Sequence, residues 1–118
     1  MQSYRELICW QKGMLLARLI YRLTAGFPAE EKFGLVSQMR RAAVSIPSNL
    51  AEGQARRTSG EFVQFIFHAE GSTAELDTQL TLSIDLGFCS PADAAETTGL
   101  IQELRRMLNA LRRSVTHS

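Results

Sequence analysis

Apolar residues recur at helical spacing in four successive segments of the chain, and capping or helix-breaking residues bound each segment. The third segment has the clearest pattern. Thr58 and Glu61 form a capping box, and apolar residues from Phe62 to Ile84 keep i, i+3, i+4 spacing until Gly87. This pattern predicts a long amphipathic helix.

The first and fourth segments are delimited in the same way. Ser3 and Glu6 form a capping box for a helix that is predicted to end at Gly26-Phe27-Pro28. The fourth helix is predicted to have Ser90 as its N-cap and Pro91 at its first position. Its apolar stripe consists of Leu100, Ile101, Leu104, Met107, Leu108, Leu111 and Val115.

The second helix is predicted to start within residues 30–34 and contains Pro47. Proline has no backbone N–H and crowds the preceding turn, so Pro47 either kinks this helix or splits it. Polar residues lie beside the apolar line of the same helix, and we expect them to bond to backbone groups that Pro47 leaves unpaired. These residues are Gln38, Arg41, Ser45, Ser48, Asn49 and Glu52.

Short connections between long helices place sequential neighbours antiparallel. No segment alternates apolar and polar residues between hairpin turns, so the fold class is predicted to be all-α, an up-down-up-down four-helix bundle. The 118 residues, 45% of them hydrophobic, suit one core, and residues 1–118 are predicted to form a single domain. No apolar run approaches the roughly 20 residues of a bilayer span and no leader opens the chain, so we expect a cytoplasmic protein without a membrane partner.

The net charge of +1 conceals a segregation of charge along the chain. Residues 1–57 contain nine basic and four acidic side chains, whereas residues 58–103 contain eight acidic side chains and no Lys or Arg. Four arginines follow. The acidic block needs basic neighbours, and either a ring of subunits supplies them across each boundary or the chain's own arginines do.

The first helix is apolar on more sides than a monomeric bundle can cover, because only a narrow strip of Gln11, Arg18 and Arg22 is polar. The third helix has a second apolar line that includes small residues. Single exposed apolar residues are normal, but contiguous patches are typical of interfaces. We therefore predict an oligomer whose interface includes Trp10, Met14, Tyr21, Val63, Phe67, Gly71 and Ala74.

No pattern in the sequence indicates catalysis, a metal centre or a cofactor. The Glu-x-x-His pairs of di-iron bundles are absent, and so are the common nucleotide-binding and hydrolase motifs. Cys9, Cys89, His68 and His117 do not complete a ligand set for zinc, and the two cysteines are expected at opposite ends of the bundle. We predict a protein that is not an enzyme, with no catalytic residue, metal ligand or cofactor.

Eleven of the thirteen basic residues are arginines, which suit bidentate pairing with carboxylate or phosphate. Eight of these arginines form adjacent pairs and are the candidate nucleic-acid-binding residues. They are Arg40, Arg41, Arg56, Arg57, Arg105, Arg106, Arg112 and Arg113. Glu52 and Arg56 are also spaced as a simple i, i+4 ion pair.

Three stretches together resemble a known family. They are residues 40–53 (RRAAVSIPSNLAEG), residues 4–12 (YRELICWQK) and residues 74–80 (AELDTQL). They resemble the bacterial "four helix bundle protein" family, which includes proteins encoded in intervening sequences of large-subunit ribosomal RNA genes. The resemblance implies a left-handed antiparallel bundle that assembles as a homopentamer, with no known catalytic residue.

The chain is also similar to the accessory variability proteins of diversity-generating retroelements. Those proteins are bundle pentamers whose basic surface engages nucleic acid and a reverse transcriptase. They are markedly basic, whereas this chain has a sequence pI near 7.8. The match is therefore weaker on the surface that would meet nucleic acid.

Two functions are favoured by these patterns, ahead of a third, a small-molecule-binding bundle. The first is a non-enzymatic oligomeric assembly or adaptor protein, with copies of itself or another protein as partners. The alternative is an RNA- or DNA-binding accessory protein that uses an arginine-rich face of the oligomer. Repetition around a ring favours the alternative, since weak phosphate contacts add up, while the acidic block and the few aromatic platforms disfavour it.

Overall fold

The computed structural model describes residues 3–116, which form four α-helices and two short 3-10 turns and contain no strand. The helices are α1 (Ile8–Thr24), α2 (Leu35–Gln54), α3 (Ser59–Asp85) and α4 (Ala95–Thr116), and the turns are Tyr4–Glu6 and Ala29–Glu31. The molecule is elongated along the helices and measures 45 × 23 × 20 Å. The all-α prediction is confirmed.

Each helix packs against its two neighbours in a square arrangement. α1 packs on α2 and α4, and α3 packs on the same two helices, while the diagonal pairs make no close backbone approach within residues 3–116. The connections have ten, four and nine residues, and with this packing order sequential helices run in opposite directions. The structure is therefore the predicted up-down-up-down bundle.

The apolar stripes predicted for α2, α3 and α4 meet in one core. Leu76 of α3 and Leu104 of α4 have no exposed surface, and neither do Met39, Ile46 and Leu50 of α2. From α1 the core receives Leu16 and Ile20, which lie one helical turn apart and have no exposed surface. Several other apolar residues of α1 and α3 remain at the surface.

The start of α1 differs from the prediction. The Ser3 hydroxyl accepts a bond from the backbone N–H of Arg5 at 3.2 Å and so caps the 3-10 turn at residues 4–6. Leu7, which carries no side-chain oxygen, is the N-cap of α1. A capping-box sequence can serve any turn whose first N–H groups need an acceptor, and here the shorter turn takes it.

α2 runs without interruption through Pro47, so the alternative of a split helix is wrong. On either side of the proline, the Ser45 hydroxyl donates to the Ala42 carbonyl at 2.7 Å, and the Asn49 amide donates to the Ser45 carbonyl at 2.7 Å. The carbonyl that loses its helical donor at Pro47 is that of Ala43, four residues earlier, so these two bonds do not confirm the prediction that polar side chains serve the groups left unpaired by the proline. The proline ring also packs against α1 at Gly13, where an added Cβ would lie 3.3 Å from Pro47 Cδ.

The starts of α3 and α4 follow the sequence to different extents. The Thr58 hydroxyl accepts a bond from the backbone N–H of Glu61 at 3.1 Å, which confirms the predicted cap of α3. Ser90 similarly accepts from the N–H of Asp93 at 3.0 Å. This bond caps a turn that precedes α4, so Pro91 lies before the helix rather than at its first position.

The end of α3 is a left-handed glycine cap. Gly87 has φ of +78°, a conformation that glycine adopts without a steric penalty. The N–H of Phe88 then reaches the carbonyl of Ser83 at 2.9 Å and closes the helix end. The turn brings Phe88 against Phe27, with ring centroids 5.7 Å apart, and so closes that end of the bundle.

Candidate interaction surfaces

In each of the four arginine pairs, intramolecular contacts hold one member. Arg40 joins α2 to the end of α1, because its guanidinium donates to the Thr24 hydroxyl at 3.0 Å and to the Tyr21 carbonyl at 3.3 Å. The same guanidinium lies 4.4 Å from the centre of the Tyr21 ring. Arg40 therefore has a structural role at the end of α1, where it caps the Tyr21 carbonyl.

Arg56 and Arg112 are held in a similar way, each by a carboxylate and an aromatic ring. Arg56 lies 3.0 Å from Glu52 and 4.9 Å from the centre of the Phe65 ring. Arg112 lies 2.6 Å from Glu70 and 4.6 Å from the centre of the Phe67 ring. The second pair joins α4 to α3 on the surface of the bundle.

In each pair, the other member is exposed and unpaired. In the 105/106 pair the held member is Arg105, which lies 3.8 Å from Asp77 in the longest of the four salt bridges of the described chain. Its neighbour Arg106, together with Arg41, Arg57 and Arg113, has no ion-pair or hydrogen-bond partner among residues 3–116. Of the eight candidate arginines, these four are the ones available to an external partner.

Three acidic residues of the 58–103 block find basic partners within the chain. Glu70 and Asp77 pair with arginines of α4, and Glu103 lies 2.9 Å from Lys12 of α1. The chain's own basic residues thus neutralise part of the block. Glu75 and Asp85 have no basic partner in the described part of the chain.

Two of the free arginines line a groove between α3 and α4. This α3/α4 groove has a volume of about 620 Å³. Its lining residues are Glu70, Ala74, Gln102, Arg105, Arg106, Asn109, Ala110 and Arg113. With three arginines against one carboxylate, which is already paired, the groove has a net positive charge and suits an anionic partner.

A second, more apolar groove runs along the opposite side of the bundle, between α1 and α2. It consists of two adjoining pockets of about 600 and 310 Å³ that share Val44. The lower pocket, near the start of α1, is lined by Tyr4, Trp10, Met14, Ala17, Val44, Pro47, Ser48 and Ala51. The upper pocket is lined by Tyr21, Lys32, Phe33, Val36, Ser37, Arg40, Arg41, Val44 and Ser45. We call the two together the α1/α2 groove.

The structure divides the predicted interface residues between two surfaces. Trp10, Met14 and Tyr21 line the α1/α2 groove. The α3 residues lie elsewhere, at the outer side of that helix: Val63 is half-buried, and Phe67, Gly71 and Ala74 are exposed. The prediction therefore describes two patches rather than one.

Five exposed large apolar residues of the described chain were not among the predicted interface residues: Ile8, Phe33, Val44, Leu82 and Leu86. Phe33 lies in the α1–α2 connection and is 89% exposed, and Val44 and Leu82 are exposed on α2 and α3. A signal existed for Leu82, because it continues the line of Phe67 and Ala74 at helical spacing. Phe33 lies outside any periodic segment, so periodicity could not mark it.

The described residues contain no arrangement typical of a catalytic or metal site. No group of three His, Cys, Asp or Glu side chains within residues 3–116 could hold a metal ion. His68 lies edge-on to Phe65, with ring centroids 6.1 Å apart, and His117 is outside the described residues. Burial raises the pKa of the Cys9 thiol to about 11. Burial also raises the pKa of the Cys89 thiol, and the negative charge of nearby Asp93 adds a smaller increase. Both changes disfavour the nucleophilic thiolate.

Residues 5–110 match the model of the family described as 23S rRNA-intervening sequence protein. The chain belongs to this family. The fold is similar to that of a protein with unknown function from the S23 ribosomal protein family, from Bacteroides thetaiotaomicron, whose crystal structure was solved at 1.70 Å resolution.

The two structures superpose with a TM-score of 0.80 at 18% sequence identity, over 89% of this chain and 98% of the other. At that identity the likeness concerns the fold alone. No curated protein matches the chain. Among the helices described here, none is long and apolar enough to span a bilayer.

Proposed function

We propose that this member of the 23S rRNA-intervening sequence family is a non-enzymatic helical bundle that self-associates and acts as an assembly or adaptor module. The observation that carries the proposal is the α1/α2 groove. It exposes aromatic and aliphatic side chains, including Trp10, Tyr21 and Phe33, along one side of the bundle. An uncovered apolar surface of this kind is typical of an interaction site.

The chemistry of the surface supports binding rather than catalysis. Polar side chains with hydrogen-bond partners on a neighbouring helix, such as Arg40 and Arg112, join helices of the bundle. The two thiols have raised pKa values and are not paired with a base. Cys9 and Cys89 are free thiols, which is consistent with a protein of the reducing cytoplasm.

The oligomer is proposed to be a closed ring, and the family resemblance suggests five copies. Two separate apolar patches on one subunit favour a ring over a two-fold dimer, because each patch can contact a different neighbour. Light scattering of the unmodified protein at micromolar concentration tests the proposal. A multimer is expected, and a monomer at this concentration would remove it.

Nucleic-acid binding is a second candidate, and a specific observation favours it. One arginine of each adjacent pair is exposed and unpaired, and Arg106 and Arg113 line the same α3/α4 groove. Repetition of this groove around a ring would present many phosphate-binding side chains at once. Binding by such contacts would be insensitive to nucleotide sequence.

The salt dependence of binding tests this second candidate. Single-stranded RNA should bind at about 50 mM salt and dissociate as salt rises. The double variant Arg106→Ala/Arg113→Ala should flatten the slope of log affinity against log salt, while the oligomer persists. Arg18→Ala/Arg22→Ala is the matched control, since it removes the same charge from exposed positions on α1. No binding at low salt, or an equal loss in both variants, would exclude the α3/α4 groove.

A further inference from the structure

The outer side of α3 carries a row of exposed residues with little polar surface. We call this row the α3 ridge. Its members, at i+4, i+3, i+4 and i+4 spacing, are Phe67, Gly71, Ala74, Thr78 and Leu82, and all five are exposed. Phe67 is 49% exposed and Leu82 is 47% exposed. The Thr78 hydroxyl donates to the Ala74 carbonyl at 3.0 Å, so the ridge has no unsatisfied hydroxyl donor.

The ridge and the α1/α2 groove match in length, and the shape of the ridge leaves room for a helix of another copy. At 1.5 Å per residue, the ridge from Phe67 to Leu82 is about 22 Å long, and the α2 wall of the groove from Ser37 to Ala51 is about 21 Å long. Between its two bulky ends the ridge is low. A Cβ added at Gly71 would meet no atom within 4 Å, so the space above this part of α3 is open to another helix.

Charge at the two surfaces is complementary and gives the contact a direction. Asp85 borders the Leu82 end of the ridge and Glu75 lies beside its middle, and neither has a basic partner among residues 3–116. The Phe33 end of the groove carries Lys32, Arg40 and Arg41. The α3/α4 groove shares Ala74 with the ridge, but the rest of that groove is rich in arginine and is a poor partner for this basic end.

The acidic end of the ridge and the basic end of the groove lie at the same end of the bundle. That end carries the α1–α2 and α3–α4 connections, since α1 and α3 both finish there. Opposite charges therefore meet when neighbouring copies point in the same direction. This is the relation between subunits of a cyclic ring.

We infer that the α3 ridge of one copy docks lengthwise in the α1/α2 groove of the next copy, with both bundles pointing the same way. Because the ridge and the groove are different surfaces, each copy uses both, and the contact is head-to-tail rather than two-fold symmetric. The inference rests on the proposed self-association. It adds which two surfaces meet and in which direction.

Complementation between two damaged subunits tests the pairing. Val44→Glu places a carboxylate in the groove, at the residue that both pockets share, and leaves the ridge intact. Phe67→Glu does the reverse. Each variant alone should be a monomer by light scattering. Every contact needs one intact ridge and one intact groove, and all copies of a single variant lack the same one of these surfaces. An equimolar mixture should give a dimer, since the intact groove of one variant can accept the intact ridge of the other.

Two further variants keep the test independent of folding defects. Gly71→Arg fills the low part of the ridge at an open position and also removes a helical glycine, so it should dissociate the oligomer without unfolding the bundle. Ile8→Glu is the matched control, because Ile8 is exposed on α1 but lies outside the groove lining. This control should remain oligomeric. Far-ultraviolet circular dichroism should show the same helical content for all four variants.

The outcomes separate this pairing from self-association in general. If the unmodified protein is a monomer, the proposed function fails and the pairing fails with it. If the unmodified protein is a multimer but either single variant stays multimeric, or the mixture stays monomeric, the ridge-in-groove pairing is wrong. Self-association through another surface would then stand.

Discussion

Cys9 has an environment that links its protonation to folding. It is 8% exposed at the start of α1, and burial raises the pKa of its thiol from an ordinary value near 9 to about 11. The folded state therefore binds this proton more tightly than the unfolded state does. Its contribution to stability is complete below about pH 9 and disappears as pH rises through about 11.

Urea unfolding at about pH 8 and about pH 10.5 measures this contribution. The free energy of unfolding should fall between the two values, with roughly 1 to 3 kcal/mol of the loss due to Cys9. In Cys9→Ala that part of the fall should vanish, although other groups that titrate at high pH still contribute. An equal fall in both proteins would show that the thiol is not the cause.

Glycines on facing helices illustrate how one residue type can have opposite roles. At Gly53 an added Cβ would lie 2.6 Å from Phe65 Cβ and 2.9 Å from Phe62 Cδ1, so α2 and α3 touch there. At Gly71 an added Cβ would meet nothing within 4 Å. Gly53 lies one residue before the end of α2, and only the packed structure assigns it to a close helix crossing.

Alanine at the two glycines should therefore have opposite effects on the free energy of unfolding. Gly53→Ala is expected to destabilise the protein by about 1 to 3 kcal/mol through overpacking against two phenylalanines. Gly71→Ala is expected to stabilise a monomeric background by about 0.5 to 1 kcal/mol, because it lowers the entropy cost of an exposed helical position. Denaturant titration of Phe67→Glu with and without each change isolates these effects from assembly. A stabilising Gly53→Ala would contradict the close crossing.

At the scale of the elements, similar capping sequences have different consequences. Thr58 caps a helix of 27 residues that packs on α2 and α4, whereas Ser3 caps a 3-10 turn of three residues. The sequence alone treats the two capping boxes alike. Local geometry after folding decides how many backbone groups each cap serves.

Thr58→Ala should thus cost about 1 kcal/mol of stability through loss of the α3 cap. Ser3→Ala, the matched control, should change the free energy of unfolding by less than about 0.5 kcal/mol, because it affects an exposed turn at the edge of the bundle. Thermal and denaturant unfolding both report the difference. Equal costs would mean that Ser3 supports α1 after all.

For the whole molecule, the antiparallel order separates the two cysteines. Cys9 lies at the start of α1, and Cys89 lies just beyond the end of α3, at the opposite end of the bundle. The helix rise places these ends roughly 25 Å apart, well beyond the limit of about 7 Å between Cα atoms for a disulfide.

Mild oxidation of the folded protein should therefore give no disulfide within a chain. Mass spectrometry of peptides from oxidised, non-reduced protein checks this, and Cys89, which is less buried, should be alkylated before Cys9. Oxidation in urea provides the control, since the unfolded chain can bring both thiols together. A Cys9–Cys89 bridge in the native protein would overturn the topology.

The four helices, their apolar stripes and their antiparallel order could be predicted because each depends on local spacing and on short connections. Leu76 and Leu104 show this well, as both are predicted stripe residues and both are completely buried. The arginine pairs show the limit. Their members are adjacent in sequence, but they point to different sides of a helix, and only one meets a carboxylate or a ring on a neighbouring helix.

The sequence by itself thus determined the fold class, the core-facing stripes and the presence of more apolar surface than one bundle covers, since all three follow from helical periodicity. Only the tertiary structure decided that this surface divides into the α1/α2 groove and the α3 ridge. It also decided that Arg40 and Arg112 are occupied, whereas Arg41 and Arg113 are free. The physical reason is that burial and ion pairing depend on distances between helices, which are set by side-chain packing across the core.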